Sequence, residues 1–460
     1  MGSGSAVAPT GAGARAHVTT EAPALAPFSA DRYLSDVHAV DLLRTNGKVR
    51  QVIGTVIESN GPPMSIGETA SITWKRTAEP VLAEAVGFRD SKVLLMPLGE
   101  IGGIAAGAEV VALGRPLTLG LTEGLLGRVL DGLGRPFDGL GPILDAEPAE
   151  IAGTPPSALL RKRISEPLGL GVRSIDGLLT CGKGQRVGIF SGSGVGKSTI
   201  LGMIARNTSA DVNVIALVGE RGKEVRDFLE RDLGEAGLRR SVVVVATSDQ
   251  PALVRIKAAY VATRVAEFFR DRGLDVMLMM DSVTRFAMAQ REIGLAIGEP
   301  TTTRGYTPSV FALLPTLLER AGTSETGTIT ALYTVLVDGD DMNEPVADAV
   351  RSILDGHIVL SRKLASANHY PAVDVLNSVS RVMPDVVSPS HFNAASAVRD
   401  ILATYRDAED LINIGAYVAG SNPRVDLALA RIEPIRTFLR QGIYESSTLD
   451  EATQAVMALG

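Results

Sequence analysis

The chain has 460 residues, of which 45% are hydrophobic and 21% charged, and its formal net charge is −7. This length predicts more than one domain. The negative charge and the aromatic content of only 4% argue against a nucleic-acid-binding protein. Cys181 is the only cysteine, so no disulfide can form within the chain. No apolar run approaches the roughly 18 residues that span a bilayer, and the N-terminus lacks a secretory signal pattern. We therefore expect a cytosolic protein.

The first part of the chain divides into a tail and a β-rich domain. Residues 1–30 are rich in Ala, Gly, Pro and Ser. They are predicted to form a disordered tail, because they bury too little apolar surface to offset the cost of ordering; an arm that orders on a partner is the alternative. Short β-rich runs separated by Gly and Pro turns then predict a β-barrel domain over residues 31–117. The runs are residues 49–57, 70–74 and 92–96.

From residue 118 to 385, apolar strand-like runs alternate with helical patterns, which predicts an α/β domain around a mostly parallel sheet. The predicted strands are residues 186–190, 212–218, 242–246, 276–280, 328–337 and 358–360, and a long helix is predicted over 252–271. After residue 385 the strand patterns stop. Amphipathic helices over residues 393–411 and 424–441 predict a helical C-terminal domain, residues 386–460.

A phosphate-binding loop is predicted between the strand 186–190 and the helix that follows it. The loop consists of Gly192, Ser193, Gly194, Val195, Gly196, Lys197, Ser198 and Thr199. Its glycines let backbone N–H groups point at phosphate oxygens. Lys197 can reach the β- and γ-phosphates of ATP, and the Ser198 hydroxyl can bind Mg²⁺. Ser191 stands where the general pattern of this loop has glycine.

Acidic residues follow two of the predicted strands downstream of the loop. Asp281 ends the run 276–280, where an aspartate holds the hydration shell of Mg²⁺; a helix cap is the alternative. Glu220 follows the run 212–218 and is the candidate that orients and activates the attacking water. Glu224, one helical turn on, is predicted to assist Mg²⁺ binding without direct coordination. A solvated charged turn is the alternative for Glu220 and Glu224.

The stretch from Leu126 to Phe392 resembles the catalytic subunits of the rotary ATPase superfamily, which implies a RecA-like core. The matching segments are residues 127–132, 192–199, 219–224, 281–286, 339–342 and 370–381. Within that superfamily the chain is most similar to the flagellar and type III protein-export ATPases. The segments that carry this narrower similarity are residues 182–186, 281–287 and 305–310.

The resemblance implies further roles for residues outside the loop. It places Arg221 beside Glu220 at the catalytic site. It makes Tyr370 the residue that stacks on adenine, although a core position is the alternative for a lone tyrosine. Arg381 is implied to be an arginine finger that reaches the active site of a neighbouring subunit, where a guanidinium stabilises γ-phosphate charge. Because Glu220 and Arg381 lie on one chain, we expect head-to-tail copies that close into a homohexamer.

The expected function is Mg²⁺-dependent ATP hydrolysis that drives protein export through a flagellar apparatus, by unloading or unfolding the export substrates. The implied partners are regulator or stator proteins, a central stalk, export substrates and their chaperones, with peripheral attachment at the inner membrane. A virulence-type secretion ATPase is one alternative. Another is a catalytic subunit of an ion-translocating ATP synthase, which carries an acidic motif where residues 416–424 have none. A hexameric RNA helicase and a non-catalytic nucleotide-binding subunit are the remaining alternatives.

Overall fold

The computed structural model describes residues 45–74, 79–337, 339 and 341–460. The predicted disordered tail, the start of the predicted barrel domain at residue 31, and Asp340 of the segment 339–342 lie outside the described residues. The remaining chain forms a β-barrel, a large mostly parallel sheet flanked by helices, and a C-terminal helical region. The predicted fold class is therefore confirmed, whereas the predicted boundaries at residues 30, 117 and 385 stay predictions.

Six antiparallel strands close the barrel in the order β1-β2-β5-β4-β3-β6. They are β1 (Asn46–Ile53), β2 (Val56–Asn60), β3 (Glu68–Thr73), β4 (Val81–Arg89), β5 (Lys92–Pro97) and β6 (Glu109–Pro116). The predicted run 49–57 is split into two strands, because Gly54 adopts φ 58° and turns the chain between β1 and β2. The barrel interior is apolar, with Ile57 and Leu95 fully buried. Closure leaves the barrel without free strand edges.

The central sheet runs in the order β19-β18-β12-β17-β15-β13-β14-β8, with β16 paired to β17. Its strands are β8 (Val129–Asp131), β12 (Arg186–Ser191), β13 (Val212–Glu220), β14 (Ser241–Thr247), β15 (Asp275–Asp281), β16 (Gly322–Thr323), β17 (Thr328–Leu336), β18 (Gly356–Leu360) and β19 (Val379–Ser380). The strands from β18 to β8 are parallel, and β19 and β16 are antiparallel. Two short pairs lie outside this sheet, β7 (Thr118–Leu121) with β9 (Glu147–Glu150) and β10 (Pro167–Leu168) with β11 (Cys181–Gly182).

Both faces of the sheet are buried, which is why its strands appear in the sequence as continuous apolar runs. In β13, Val214 and Ala216 face one core, whereas Ile215 and Leu217 face the other. The helices of this region are Arg173–Leu178, Lys197–Asn207, Gly222–Asp227, Gly234–Arg239, Ala252–Arg270, Val283–Ile297, Pro308–Leu318, Pro345–Ile353, Arg362–Ser366 and Met383–Val386, with a π-helical turn at Phe228–Leu233.

Three helices form the C-terminal region, Pro389–Asn413, Pro423–Leu439 and Leu449–Leu459. The last of them was not predicted from the sequence. All three pack against the short helix Arg173–Leu178, and Phe438 and Val456 belong to the same core as the phosphate-loop helix. His391 Nε2 lies 2.8 Å from the Gly177 carbonyl oxygen at this contact. Of the helices within the described ranges, none is both long and apolar enough to cross a bilayer.

Candidate active site

Three parallel strands deliver the predicted catalytic groups to one edge of the sheet. β12 leads into the loop, β13 ends at Glu220, and β15 ends at Asp281. Nucleotides bind at the carboxyl ends of the strands in open α/β sheets. Lys197 Nζ lies 3.3 Å from Glu220 Oε1 and also donates a hydrogen bond to Asp281 Oδ1. The structure therefore brings together three residues that are up to 84 positions apart in the chain.

The loop has the geometry of an anion site. Gly194 and Gly196 adopt φ of 79° and 94°, which an L side chain rarely tolerates. Gly196 is the residue just before the helix Lys197–Asn207, so the unpaired N–H groups and positive dipole end of that helix face the loop. Ser191, the departure from the general pattern, is 1% exposed at the end of β12.

Glu220 reaches the site through an irregularity in its strand. The pairing of β13 with β14 shifts register between Val218 and Glu220, so that Gly219 is the extra residue of a bulge. Gly219 adopts φ 74°, and a Cβ there would lie 2.9 Å from Arg285 Cβ. A bulge redirects the side chain that follows it. Here it turns Glu220 into the cavity beside the loop.

That cavity, which we term the phosphate chamber, has a volume of about 600 Å³ and is lined by every loop residue except Val195. Glu220, Arg221 and Glu224 lie in its wall. Glu224 stands in the first turn of the helix Gly222–Asp227, as predicted if a helix begins there, and its Oε1 lies 3.5 Å from Arg221 Nη1. Ser282 caps the next helix by accepting from the Arg285 N–H. Asp281 is thus left to pair with Lys197.

Arg285 lies in one of the family segments, residues 281–286, but the sequence alone predicts no role for it. Its side chain lines the phosphate chamber. Its Nε is buried and has no hydrogen-bond partner in the described part of the chain. A buried guanidinium nitrogen without a partner is a candidate to bind a phosphate oxygen.

Burial and mutual charge set the protonation of the site. Desolvation, with the nearby charge of Asp281, raises the pKa of Glu220 to about 7. Burial alone would lower the pKa of Lys197, but attraction to Asp281 and Glu220 outweighs it and the pKa is raised. The hydrogen bond with Glu220 lowers the pKa of Glu224. A carboxyl group with a pKa near neutrality, next to a phosphate loop, is suited to exchange a proton during catalysis.

A second cavity of about 860 Å³, here termed the apolar chamber, lies on the other side of the loop. The predicted nucleotide-binding loop residues divide between the two: Gly192, Ser193, Lys197 and Ser198 line only the phosphate chamber, Val195 only the apolar chamber, and Gly194, Gly196 and Thr199 both. Tyr370 lines the apolar chamber and is 41% exposed, so it is not a core residue. A Cβ on Gly196 would lie 3.6 Å from the Tyr370 ring. Stacking on adenine stays a prediction.

Arg381 lies apart from the loop and from the other predicted site residues. It follows β19 at the outer edge of the sheet, is exposed, and donates from Nη1 to the Leu354 carbonyl oxygen at 3.1 Å. It lines neither the phosphate chamber nor the apolar chamber. The action of Arg381 on a neighbouring subunit stays a prediction.

Three family models match consecutive parts of the chain. The β-barrel domain of the ATP synthase alpha/beta family matches residues 49–114, and the nucleotide-binding domain of the same family matches residues 171–380. The T3SS EscN ATPase C-terminal domain matches residues 387–458. This last match favours an export ATPase over the alternative of an ion-translocating ATP synthase subunit.

Whole-chain relatives and solved structures agree with these models. The flagellum-specific ATP synthase of Bacillus subtilis is 57% identical over 92% of this chain and 97% of its own. The type 3 secretion system ATPase of Xanthomonas euvesicatoria is 51% identical over 90% and 94%. The assembled ATPase EscN of the enteropathogenic E. coli type III secretion system matches with a TM-score of 0.86 at 46% identity, covering 90% of this chain and 99% of that one. The same ATPase in complex with its central stalk EscO gives a TM-score of 0.83.

The fold and the loop define a nucleotide-binding ATPase of the ATP synthase alpha/beta type. The chain belongs to the flagellar and type III secretion ATPases within that family, and it is an ATP hydrolase of type III export. The predicted family and enzyme class are confirmed. The roles of the individual site residues stay predictions.

Proposed function

We propose that this protein hydrolyses ATP with Mg²⁺ to drive protein export through a flagellar apparatus. The observation that carries the proposal is the placement of Lys197 between Glu220 and Asp281 at the foot of the phosphate loop. The name of the Bacillus subtilis relative supports the flagellar assignment. In this account the enzyme unloads or unfolds export substrates delivered with their chaperones.

ATP binding would exchange the partners of Lys197. The loop N–H groups and Lys197 take the β- and γ-phosphates, Arg285 adds a guanidinium, and the adenine lies in the apolar chamber against Tyr370. The donor set suits Mg²⁺, which prefers few protein oxygens together with phosphate oxygens and water. Ser198 and Asp281 supply such oxygens, and Glu224 orients the surrounding water. The metal ion, when bound, neutralises charge on the transferring phosphoryl group.

Glu220 acts on the attacking water. Its carboxylate accepts a proton from water as the water oxygen forms a bond to the γ-phosphorus, and the bond from that phosphorus to the β,γ-bridging oxygen breaks. The products are ADP and inorganic phosphate, and the proton rests on Glu220 until solvent removes it. Lys197 stays near the bridging and γ-oxygens and stabilises the charge that develops there. Arg221 borders the same chamber as a further positive charge.

Arg381 would complete the site of the next subunit. Its exposed position beyond β19 supports an action in trans, and an arginine finger contributes about 10³–10⁵ to the rate in phosphoryl transfer. Head-to-tail contacts between identical chains close into a ring, and we propose a homohexamer, in keeping with the assembled state of EscN. A central stalk, like EscO in its complex with EscN, and a regulator or stator are the proposed partners. The proposed place of action is the cytoplasmic side of the inner membrane.

The test is Glu220→Gln, which keeps the shape of the side chain and removes its base. ATP binding, measured by calorimetry, is expected to stay within about threefold of the wild type. Turnover is expected to fall by at least about 100-fold, the ordinary contribution of a general base. Glu230→Gln, an exposed glutamate paired with Arg226, is the matched control and should keep full activity. Near wild-type turnover in the Glu220 variant would refute the proposed role.

A further inference from the structure

A wall of the apolar chamber comes from the C-terminal region. The segment 440–445 is the first part of the connection between the helix Pro423–Leu439 and the helix Leu449–Leu459. Five of its residues line the chamber: Arg440, Gln441, Gly442, Ile443 and Glu445. The segment contains neither helix nor strand. Its position therefore depends on hydrogen bonds from other parts of the protein.

Arg173, at the start of the helix Arg173–Leu178, makes three of those bonds and one more to the end of the preceding helix. Arg206 adds a bond from Nη2 to the Ile443 carbonyl oxygen. Its backbone N–H donates to Gln441 Oε1 at 2.9 Å, and its Nε donates to the Phe438 carbonyl oxygen at 3.2 Å. Nη1 pairs with the Glu445 carboxylate, and Nη2 donates to the Arg440 carbonyl oxygen. The planar fork of a guanidinium fixes the directions of such bonds, which a lysine cannot reproduce. One residue thus holds both ends of the segment 440–445.

Gln441 ties the same segment to Gly171 and Tyr370. Its side chain is 6% exposed, and Nε2 donates to the carbonyl oxygens of Gly171 and Glu445, each at 2.9 Å. Its backbone N–H donates to the Tyr370 carbonyl oxygen at 3.0 Å. The segment and Tyr370 are therefore held in one hydrogen-bonded unit to which Arg173 is anchored.

We propose that Arg173 is a positioning residue for the base and ribose of the nucleotide, acting through the segment 440–445. The inference rests on the proposed function, which places the adenine beside Tyr370. Without the three side-chain contacts of Arg173, the two ends of the segment are held less firmly and must be ordered each time a nucleotide binds, and the cost of that ordering weakens affinity. The phosphate chamber contains none of these groups, so the chemistry of hydrolysis is left intact.

The experiment compares two ligands by calorimetry on the full chain, ATP and inorganic tripolyphosphate. Arg173→Met is expected to weaken ATP binding about tenfold, which is about 1.4 kcal/mol, and to leave tripolyphosphate binding unchanged. In steady-state assays KM for ATP should rise by a similar factor while kcat stays within about twofold. Arg163→Met is the matched control, because Arg163 forms an exposed ion pair with Asp385 at 2.7 Å. This variant should bind both ligands as tightly as the wild type does.

Glu445→Gln removes the charge of the ion pair with Arg173 and leaves the other contacts of Arg173 in place, so it guards against a folding defect in the first variant. It should weaken ATP binding about threefold and leave tripolyphosphate binding unchanged. The role of Arg173 is overturned if the variants lose equal affinity for both ligands, or if neither variant loses affinity for ATP. If the wild type binds ATP no more tightly than tripolyphosphate, the proposed base site fails first, and the role of Arg173 fails with it.

Discussion

Because the pKa of Glu220 is raised, we expect the rate of catalysis to depend on pH near neutrality. Glu220 can accept a proton from water only when its carboxyl group is ionised. Burial and the charge of Asp281 raise its pKa to about 7, so the protein without nucleotide loses the active form as the pH falls through that value. The value of kcat/KM follows the ionisation of the free enzyme, and it should therefore fall on the acid side.

The expected change is large enough to measure. A carboxyl group with a pKa of about 7 is ionised in about one molecule in eleven at pH 6 and about ten in eleven at pH 8. Thus kcat/KM should rise about tenfold between pH 6 and pH 8. An ordinary glutamate, with a pKa of about 4.3, would be almost fully ionised over that whole range and would give a flat profile.

The assay measures phosphate release at ATP concentrations below KM, with excess Mg²⁺, from about pH 5.5 to 8.5. Glu224→Gln supplies a second test, because the hydrogen bond from Glu220 to Glu224 contributes to the raised pKa. An amide would donate to Glu220 instead, so the acid limb should move to lower pH. Glu230→Gln should leave the limb in place. A flat wild-type profile between pH 6 and pH 8 would refute the account of Glu220.

Two further predictions concern the loop. Lys197→Met leaves the carboxylates of Glu220 and Asp281, which are only 13% and 4% exposed, without their cation. ATP binding should be lost, and the free energy of unfolding should fall by about 3–5 kcal/mol. Chemical denaturation should show that adding Asp281→Asn restores part of this stability but no binding. Gly196→Ala forces an L side chain to φ 94° against the Tyr370 ring, and ATP affinity measured by calorimetry should fall about tenfold for a strain of about 1–2 kcal/mol. Gly234→Ala, at φ 67° with open space around it, should introduce a similar backbone strain without changing ATP affinity.

Much of the fold follows from local patterns. The central strands are continuous apolar runs because both faces of the sheet are covered, and the run 276–280 lies within β15. Patterns fail where tertiary context decides the structure. β8 has only three residues and becomes part of the sheet only by pairing with β14. The hairpin of β1 and β2 depends on the conformation of Gly54, which an apolar run does not reveal.

The site residues also fall into two groups, those that the sequence predicts and those that only the folded structure shows. The loop, Glu220 and Asp281 could be predicted because they directly follow strands and carry chemistry that a nucleotide needs. The roles of Arg173 and Gln441 could not be predicted, because these residues are 268 positions apart and meet only when the C-terminal helices pack on the nucleotide domain. The Nε of Arg285, which is buried without a hydrogen-bond partner in the described part of the chain, could not be predicted either, because burial is known only from the folded chain.

The central claim is that each active site uses Glu220 of one subunit and Arg381 of the next. The direct test mixes two variants, Glu220→Gln and Arg381→Ala, each expected to be inactive alone. In rings assembled at random from equal amounts, about one site in four contains an intact Glu220 facing an intact Arg381. The mixture should therefore recover about a quarter of wild-type ATPase activity. A mixture as inactive as its two components would contradict the claim, and so would an Arg381 variant that is fully active alone.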